Sequence, residues 1–347
     1  MGHTTAVVIL NWNGQQWLER FLPNVVAATG ADADVVLADN GSTDGSVAWV
    51  QSHFPNVRVV RNSTNLGFAG GYNEALKQVE AEFYVLLNSD VEVIPGWVPA
   101  LRGYLERHPT MAACQPKVLS HGQRDRFEHA GAAGGFIDRN GYPFCRGRIF
   151  EITEKDHGQY NDELEVFWAT GACLMIRAKA FHAAEGFDAS LFAHMEEIDL
   201  CWRLRRQGWH IGYTAATTVY HVGGGALGYG SPRKTYLNFR NSLIVLTKNL
   251  HRGWLPMRIL RRFFLDDCAA LKFLVEGHAS HAWEVGRAHR HFVGRLPGLL
   301  RERKRLRTLD HNTDLTGQYR RSVAYDRFIL GWKTFDRLDR QAFTRRG

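Results

Sequence analysis

Short apolar runs, each stopped by a cluster of polar residues, recur along the first quarter of the chain. Residues 5–10 (Thr-Ala-Val-Val-Ile-Leu) stop at Asn11-Trp12-Asn13-Gly14, and residues 35–38 (Val-Val-Leu-Ala) stop at Asp39-Asn40-Gly41-Ser42-Thr43-Asp44. Residues 57–60 (Val-Arg-Val-Val) precede a Gly-rich stretch from Asn65 to Glu74, and residues 82–87 run into Asn88-Ser89-Asp90. Runs of this length predict buried strands. Between them the period changes. Trp17, Leu18, Phe21 and Leu22 fall at helical spacing, Ser42, Thr43 and Asp44 are good N-caps, and the Gly-rich stretch opens a helix to about Glu80. Four alternations of strand and helix imply a parallel α/β sheet, with the polar clusters along its carboxyl edge, where ligands bind in open sheets.

The later pattern is less regular. A helix is expected over 96–107 and a strand over 111–119. Residues 120–164 mix Gly, Arg and aromatics without a period and read as a long irregular insert, its arginines facing either solvent or a phosphate-bearing substrate. Trp168-Ala169-Thr170-Gly171-Ala172-Cys173 leads into an apolar strand at 174–176. A helix then begins at Glu196-Glu197-Ile198-Asp199, and residues 209–222 read as one or two strands ending at His221 and a glycine run, Gly223-Gly224-Gly225. Over 257–276, Arg258, Arg261, Arg262, Asp266, Lys272 and Glu276 share one arc of a helix. That helix is expected either to pack on the first domain or to lie in a membrane interface with Arg and Lys toward head groups.

Composition changes this picture in one respect. The 347 residues are 45% apolar and 12% aromatic, which excludes a disordered chain. The net charge of +8 is uneven: residues 251–347 hold 21 Lys and Arg against 10 Asp and Glu, while residues 1–250 hold 22 against 25. The first part is a nearly neutral globule and the second a basic appendage suited to an anionic partner. A membrane surface is the better candidate, since the tail lacks the aromatic and basic interleaving of single-strand nucleic-acid binders. Five scattered cysteines without a C-x-x-C pair argue against a metal cluster or disulfide framework and favour a reducing compartment. No secretory leader and no run long enough to span a bilayer are legible.

Three groups of residues carry candidate chemistry. Asn88-Ser89-Asp90 either turns the chain out of its strand or delivers a carboxylate to the sheet edge, and one or two carboxylates suffice for a cation that also binds a substrate diphosphate. Glu196, Glu197 and Asp199 suit the positive end of a helix dipole, but beside His194 and Met195 one of them also suits a general base. His221, released from a strand into Gly-rich backbone, is a ligand candidate. The spacing Gly67-x-x-Gly70-Gly71 after the third strand is not a dinucleotide fingerprint.

In this order, Asn11, the Asp39–Asp44 loop, Asn65-x-Gly67…Asn73, Asn88-Ser89-Asp90, Gly171-Ala172, Glu196-Glu197-x-Asp199 and His221 resemble the family 2 glycosyltransferases of GT-A fold. The resemblance is greatest to bacterial rhamnosyltransferase-type members, and it covers about residues 4–250. It implies a GT-A domain over 1–250, with a mixed, mostly parallel central sheet flanked by helices, and a basic, mainly helical extension over 251–347. It further implies that Asp39 binds the nucleobase of a nucleoside-diphosphate sugar, that Asn11 and Asn65 shape the nucleoside pocket with Gly67 and Asn73, and that Asn88, Ser89 and Gly171 line the donor. Asp90 matches the last residue of the family's D-x-D motif and, with His221, would hold Mg²⁺ or Mn²⁺. Glu197 stands where the family commonly has a catalytic Asp, flanked by Glu196 and Asp199. Asn88 departs from the first Asp of D-x-D and leaves one firm carboxylate, and the choice between Glu196 and Glu197 stays open. The implied reaction is inverting transfer from dTDP-rhamnose, or next a UDP-hexose, to a glycan or polyprenol-linked acceptor on the cytoplasmic face of the inner membrane. Two other classes fit parts of the pattern: an inactive nucleotide-sugar-binding module, suggested by Asn88, and a nucleic-acid binder, suggested by the basic tail.

Overall fold

The structure, a computed structural model, describes residues 4–223, 230–250, 254–308 and 316–344. The expected Gly224 and Gly225 lie outside them. Elements alternate from the start: β1 (Thr5–Asn11), α1 (Gln15–Thr29), β2 (Asp34–Asp39), α2 (Ser46–His53), β3 (Arg58–Arg61), α3 (Gly67–Leu76) and β4 (Phe83–Asn88). β5 (Val91–Val93), α4 (Trp97–Arg107) and β6 (Met111–Ser120) follow, then the short β7 (Gly135–Asp138), β8 (Pro143–Cys145), β9 (Arg148–Ile149) and β10 (Ile152–Thr153). Next come β11 (Glu163–Val166), β12 (Cys173–Arg177), α5 (Ala178–Ala183), α6 (Glu196–Arg206) and β13 (His210–His221). The chain closes with α7 (Pro232–Asn249), α8 (Leu255–Val275), α9 (Ala279–Arg307), β14 (Gln318–Tyr319) and α10 (Val323–Phe328).

The central sheet runs β11-β13-β6-β12-β4-β1-β2-β3, with β5 on β13. From β4 to β3 it is parallel, and the register pairs Asn11 with Asp39 and Leu10 with Asn88. The ends of β1, β2 and β4 therefore lie side by side. Beyond β4 the sheet is mixed, as the GT-A resemblance implies, because β12 enters antiparallel between β4 and β6. That insertion carries Gly171 and Ala172 to the same edge.

Burial on both faces accounts for the uninterrupted apolar runs. Val7, Ile9, Leu37, Val85 and Leu87 pack with Leu18, Leu22, Trp97 and Leu101 from α1 and α4. Their neighbours Ala6, Val8, Val36, Tyr84 and Leu86 face the opposite way, onto Tyr72, Phe181 and Trp202 of α3, α5 and α6. Each fully buried Val, Leu or Ile contributes roughly 1.5–3 kcal/mol, so a one-residue slip of register is strongly disfavoured.

Two expectations are corrected. Residues 120–164 are not wholly irregular: β7 to β10 form a second sheet, ordered β10-β9-β8-β7-β14, whose last strand comes from the far end of the chain. Strands of two to four residues carry too little period to be read from sequence. The charged arc of α8 is also reversed at its centre. Arg262 and Asp266 are buried, with Nη2 3.3 Å from Oδ1. The guanidinium also donates to the Asn140 carbonyl and Ser242 Oγ and lies 3.9 Å over the Tyr142 ring, while Tyr142 donates to Asp266 Oδ1. Ile259 and Phe263 pack on the core, while other apolar residues turn outward: Leu260, Phe264, Leu271 and Val275 are 63, 68, 62 and 81% exposed. α9 then packs Val285, Ala288, Phe292 and Leu299 inward. No helix of the described residues is long and apolar enough to cross a membrane.

Candidate active site

At one end of the carboxyl edge, Asp39 and Asn11 close β2 and β1. Asp39 Oδ2 accepts the Ser42 backbone N–H at 3.2 Å, and Asn11 Nδ2 donates to Ser42 Oγ at 3.1 Å. The other oxygens, Asp39 Oδ1 and Asn11 Oδ1, are buried without a partner. Orphaned buried acceptors are costly, which makes this corner ready for a ligand donor. Asn65 serves the loop itself, its Oδ1 accepting from the Gly67 N–H at 2.8 Å and from Asn40 Nδ2 at 3.1 Å. Gly67 sits at φ +73°, and a Cβ there would lie 2.5 Å from the Phe192 carbonyl oxygen. Only glycine permits that approach. Asn73 is set apart from the expected pocket. Its Nδ2 donates to the Phe187 carbonyl and its Oδ1 accepts the Phe187 N–H, so both ends brace the loop after α5. Gly171 backs onto Phe68, where a Cβ would meet the ring at 3.0 Å.

In the middle of the edge, Asn88 ends β4 and half-buried Ser89 turns the chain into buried Asp90. His221 ends β13 opposite Val91 and meets this turn directly. Its Nε2 lies 3.1 Å from Asp90 Oδ1 and 3.3 Å from Asn88 Nδ2, while its Nδ1 lies 3.1 Å from Glu128 Oε2. Burial alone would lower the imidazole, but the Asp90 and Glu128 carboxylates overcome it and push His221 up to about 10. Asp90 is held below its ordinary range against its own burial by the His221 charge and hydrogen bond. Glu128 lies in the insert after β6 and was not singled out from sequence, because nothing in its spacing ties it to a histidine 93 residues later. Among the described residues no group of three or more His, Cys, Asp or Glu is placed to hold an ion by itself. Asp90 and His221 supply a carboxylate and an imidazole, donor types that suit a divalent cation, but here they pair with each other at 3.1 Å, so a cation would have to displace the proton between them, with Glu128 on the far ring nitrogen.

The third part is the start of α6. Phe192, His194 and Met195 have φ of +67°, +68° and +73°, a costly conformation for side chains of this size. Asn241 on α7 holds the loop there, donating from Nδ2 to the carbonyls of Leu191, Ala193 and His194 at 3.0, 2.8 and 2.7 Å. The turn sets Glu196 and Glu197 on α6 with one oxygen each, both Oε2, buried and unpartnered. Burial and the Glu197 charge push Glu196 well above the usual carboxylate range, and burial pushes Glu197 up to about 7. Asp199 does not join them. Its oxygens accept from Arg203 Nε at 2.8 Å and Asn249 Nδ2 at 2.7 Å and pair with Lys248 Nζ at 3.2 Å, and these partners hold it ionised against complete burial. It anchors α6 to α7. Burial, with the Lys234 charge, lowers His194 to about 4, and burial also lowers the Lys234 ammonium.

The edge thus brings together Asn11, Asp39, Asp90, Asn88 and His221, with Glu196 and Glu197 on a braced helix start. The model of the family described as glycosyl transferase family 2 matches residues 6–183, just over half of the chain. The chain belongs to glycosyltransferase family 2. Among its relatives is the N-acetylglucosaminyl-diphospho-decaprenol L-rhamnosyltransferase of Mycobacterium tuberculosis, 28% identical over 270 residues that span 73% of this glycosyltransferase and 87% of the relative. A low-salt glycan biosynthesis hexosyltransferase of Haloferax volcanii is 22% identical over 74% of this chain and 84% of its own. The fold matches GalNAc-T7 solved with UDP, GalNAc and Mn²⁺ at a TM-score of 0.55, with 14% identity, over 86% of this chain and 58% of that one. It also matches a Pyrobaculum calidifontis mannosyltransferase solved with GDP-Man and Mn²⁺ at 0.51, with 14% identity, over 89% and 86%. This family 2 glycosyltransferase has the GT-A fold with a helical C-terminal region.

Proposed function

We propose that this glycosyltransferase moves a sugar, with inversion, from a nucleoside-diphosphate sugar to a hydroxyl of a glycan or polyprenol-linked acceptor in cell-surface polysaccharide synthesis. dTDP-rhamnose is the favoured donor, on the likeness to the mycobacterial rhamnosyltransferase, and a UDP-hexose the next. The observation that carries the reading is the set of buried, unpartnered carboxylate oxygens on Asp39, Glu196 and Glu197 at one sheet edge. Asp39 accepts from the nucleobase, and Asn11 closes the pocket beside it. Asn65 and Gly67 set the loop that borders it, while Asn88, Ser89 and Gly171 line the sugar diphosphate. Asp90 and His221 would hold Mg²⁺ or Mn²⁺, which when bound neutralises charge on the leaving diphosphate. Glu197 takes the proton of the attacking hydroxyl, and burial gives it the basicity for that task near neutral pH. Glu196, raised well above the usual carboxylate range by burial and the Glu197 charge, flanks it. Asp199 and Asn73 support the site without touching substrate.

Residues 1–250 carry this chemistry, and residues 251–347 hold the enzyme to the anionic cytoplasmic face of the membrane through the outward stripe of α8. A thermal-shift panel of nucleoside diphosphates and their sugars, with and without Mn²⁺, tests the donor assignment. A dTDP compound should raise the Tm most and only with metal present, while no shift with any nucleotide would contradict it.

A further inference from the structure

Beside the base helix lies a cavity of about 470 Å³ lined by Phe192, Arg233, Tyr236, Leu237, Arg240 and Arg287. Its lining carries three guanidiniums and no carboxylate. All three are stacked on the two aromatic rings: Arg233 lies 5.2 Å over Phe192, and Arg240 and Arg287 lie 5.3 and 4.3 Å from the Tyr236 ring centre. Arg240 is buried and fixed by the carbonyls of Ser190 and Leu191 and by Asn241 Oδ1. Arg287 is steadied by Glu284 at 2.8 Å, outside the lining. Tyr236 OH meets His291 Nδ1 at 2.7 Å, and burial together with the charges of Arg240, Arg295 and Arg287 lowers that imidazole. Positive charge gathered around one hollow repels itself unless an anion fills it.

The position says which anion. Phe192 opens the strained loop that leads to Glu196 and Glu197, and the other lining residues belong to α7 and α9, whereas Asn11 and Asp39, assigned to the nucleotide, close β1 and β2. Trp283, 64% exposed, sits one helical turn before Arg287 on the same face of α9 and offers an apolar surface beside the cavity lining of that helix. We propose that this cavity binds the diphosphate of a prenyl-diphosphate-linked acceptor, with the hydrocarbon leaving across Trp283. This rests on the glycosyltransferase reading above and narrows its acceptor class.

The test uses the full chain, farnesyl diphosphate as probe, and calorimetry. R233Q/R287Q should weaken farnesyl diphosphate binding roughly tenfold or more, since each guanidinium lost removes a charge-assisted hydrogen bond. Its dTDP affinity should stay within about twofold of wild type, which also reports an intact fold. Farnesol should not bind measurably. In turnover with a farnesyl-diphosphate-linked N-acetylglucosamine acceptor, the acceptor KM should rise and the donor KM hold. Equal farnesyl diphosphate affinity in the variant overturns the proposal, and so does complete displacement of the probe by dTDP. If the variant keeps its farnesyl diphosphate affinity but loses retention on phosphatidylglycerol vesicles, the cations serve lipid head groups and the proposal falls. If the variant loses the probe while wild type transfers from no nucleotide sugar, the anion site stands and the donor reading falls alone.

Discussion

At the scale of single residues, Glu197 is the side chain whose protonation matters most. It acts as a base only when ionised, and burial raises it to about 7, so transfer should rise as pH climbs through that value. A carboxyl whose folded pKa is raised binds its proton more tightly in the folded chain than in the unfolded one. Stability is therefore expected to fall as pH climbs from the unfolded carboxylate range through about 7. Glu197→Gln should remove both effects, lowering kcat by about 10²–10⁴-fold while leaving donor affinity unchanged. Unaltered turnover in that variant would move the base elsewhere. Glu128 makes a separate prediction, because it holds the ring of His221 from behind. Glu128→Ala should weaken Mn²⁺ binding in the presence of dTDP by roughly 10–100-fold, read by the electron paramagnetic resonance of free Mn²⁺. An unchanged Mn²⁺ affinity would show that His221 needs no orienting partner. Asp39, Asp90 and His221 were legible in the sequence because each ends an apolar run. Glu128 was not, and Asp199 stood out only as one of three acids at a helix start, since Lys248 and Asn249, which fix it, lie about fifty residues further on.

Among the elements, the strands buried on both faces were plain from their composition, and β1, β2 and β4 fall within a residue or two of expectation. The antiparallel β12 could not be foreseen from its own five residues, because strand direction is decided by the connection and not by the run. Helix α8 shows the opposite difficulty. Its period was visible, but hydropathy sends the charged arc outward, and Tyr142, Asn140, Ser242 and His289, none of them on this helix, make burial of Arg262 and Asp266 tolerable. What faces out is an apolar stripe, for which an anionic bilayer is the proposed partner. Leu271→Ser with Leu274→Ser should cut retention on phosphatidylglycerol vesicles several-fold and shift the Tm little, because both side chains are more than half exposed (62 and 53%). Full retention would place membrane contact elsewhere or remove it.

For the whole molecule, the second sheet ties the two ends of the plan together. β14 pairs with β7, and Phe335 and Phe343 pack tilted or edge-on against Phe136 and Phe144, so the basic C-terminal region is folded onto the insert that supplies Glu128. α7 and α9 then flank the loop of Phe192 and the cationic cavity beside it. The proposed donor, base and acceptor sites thus fall on the sheet edge, the start of α6 and the α7–α9 cavity, each built by elements from a different stretch of chain. The direct measurement is transfer itself: purified full-length chain, Mn²⁺, dTDP-rhamnose labelled in the sugar, and a prenyl-diphosphate-linked N-acetylglucosamine acceptor. Labelled acceptor bearing the sugar with inverted anomeric configuration, absent with Glu197→Gln, is the expected product. No labelled product from dTDP-rhamnose or from any UDP-hexose, by a chain that still binds the nucleotide, would contradict it.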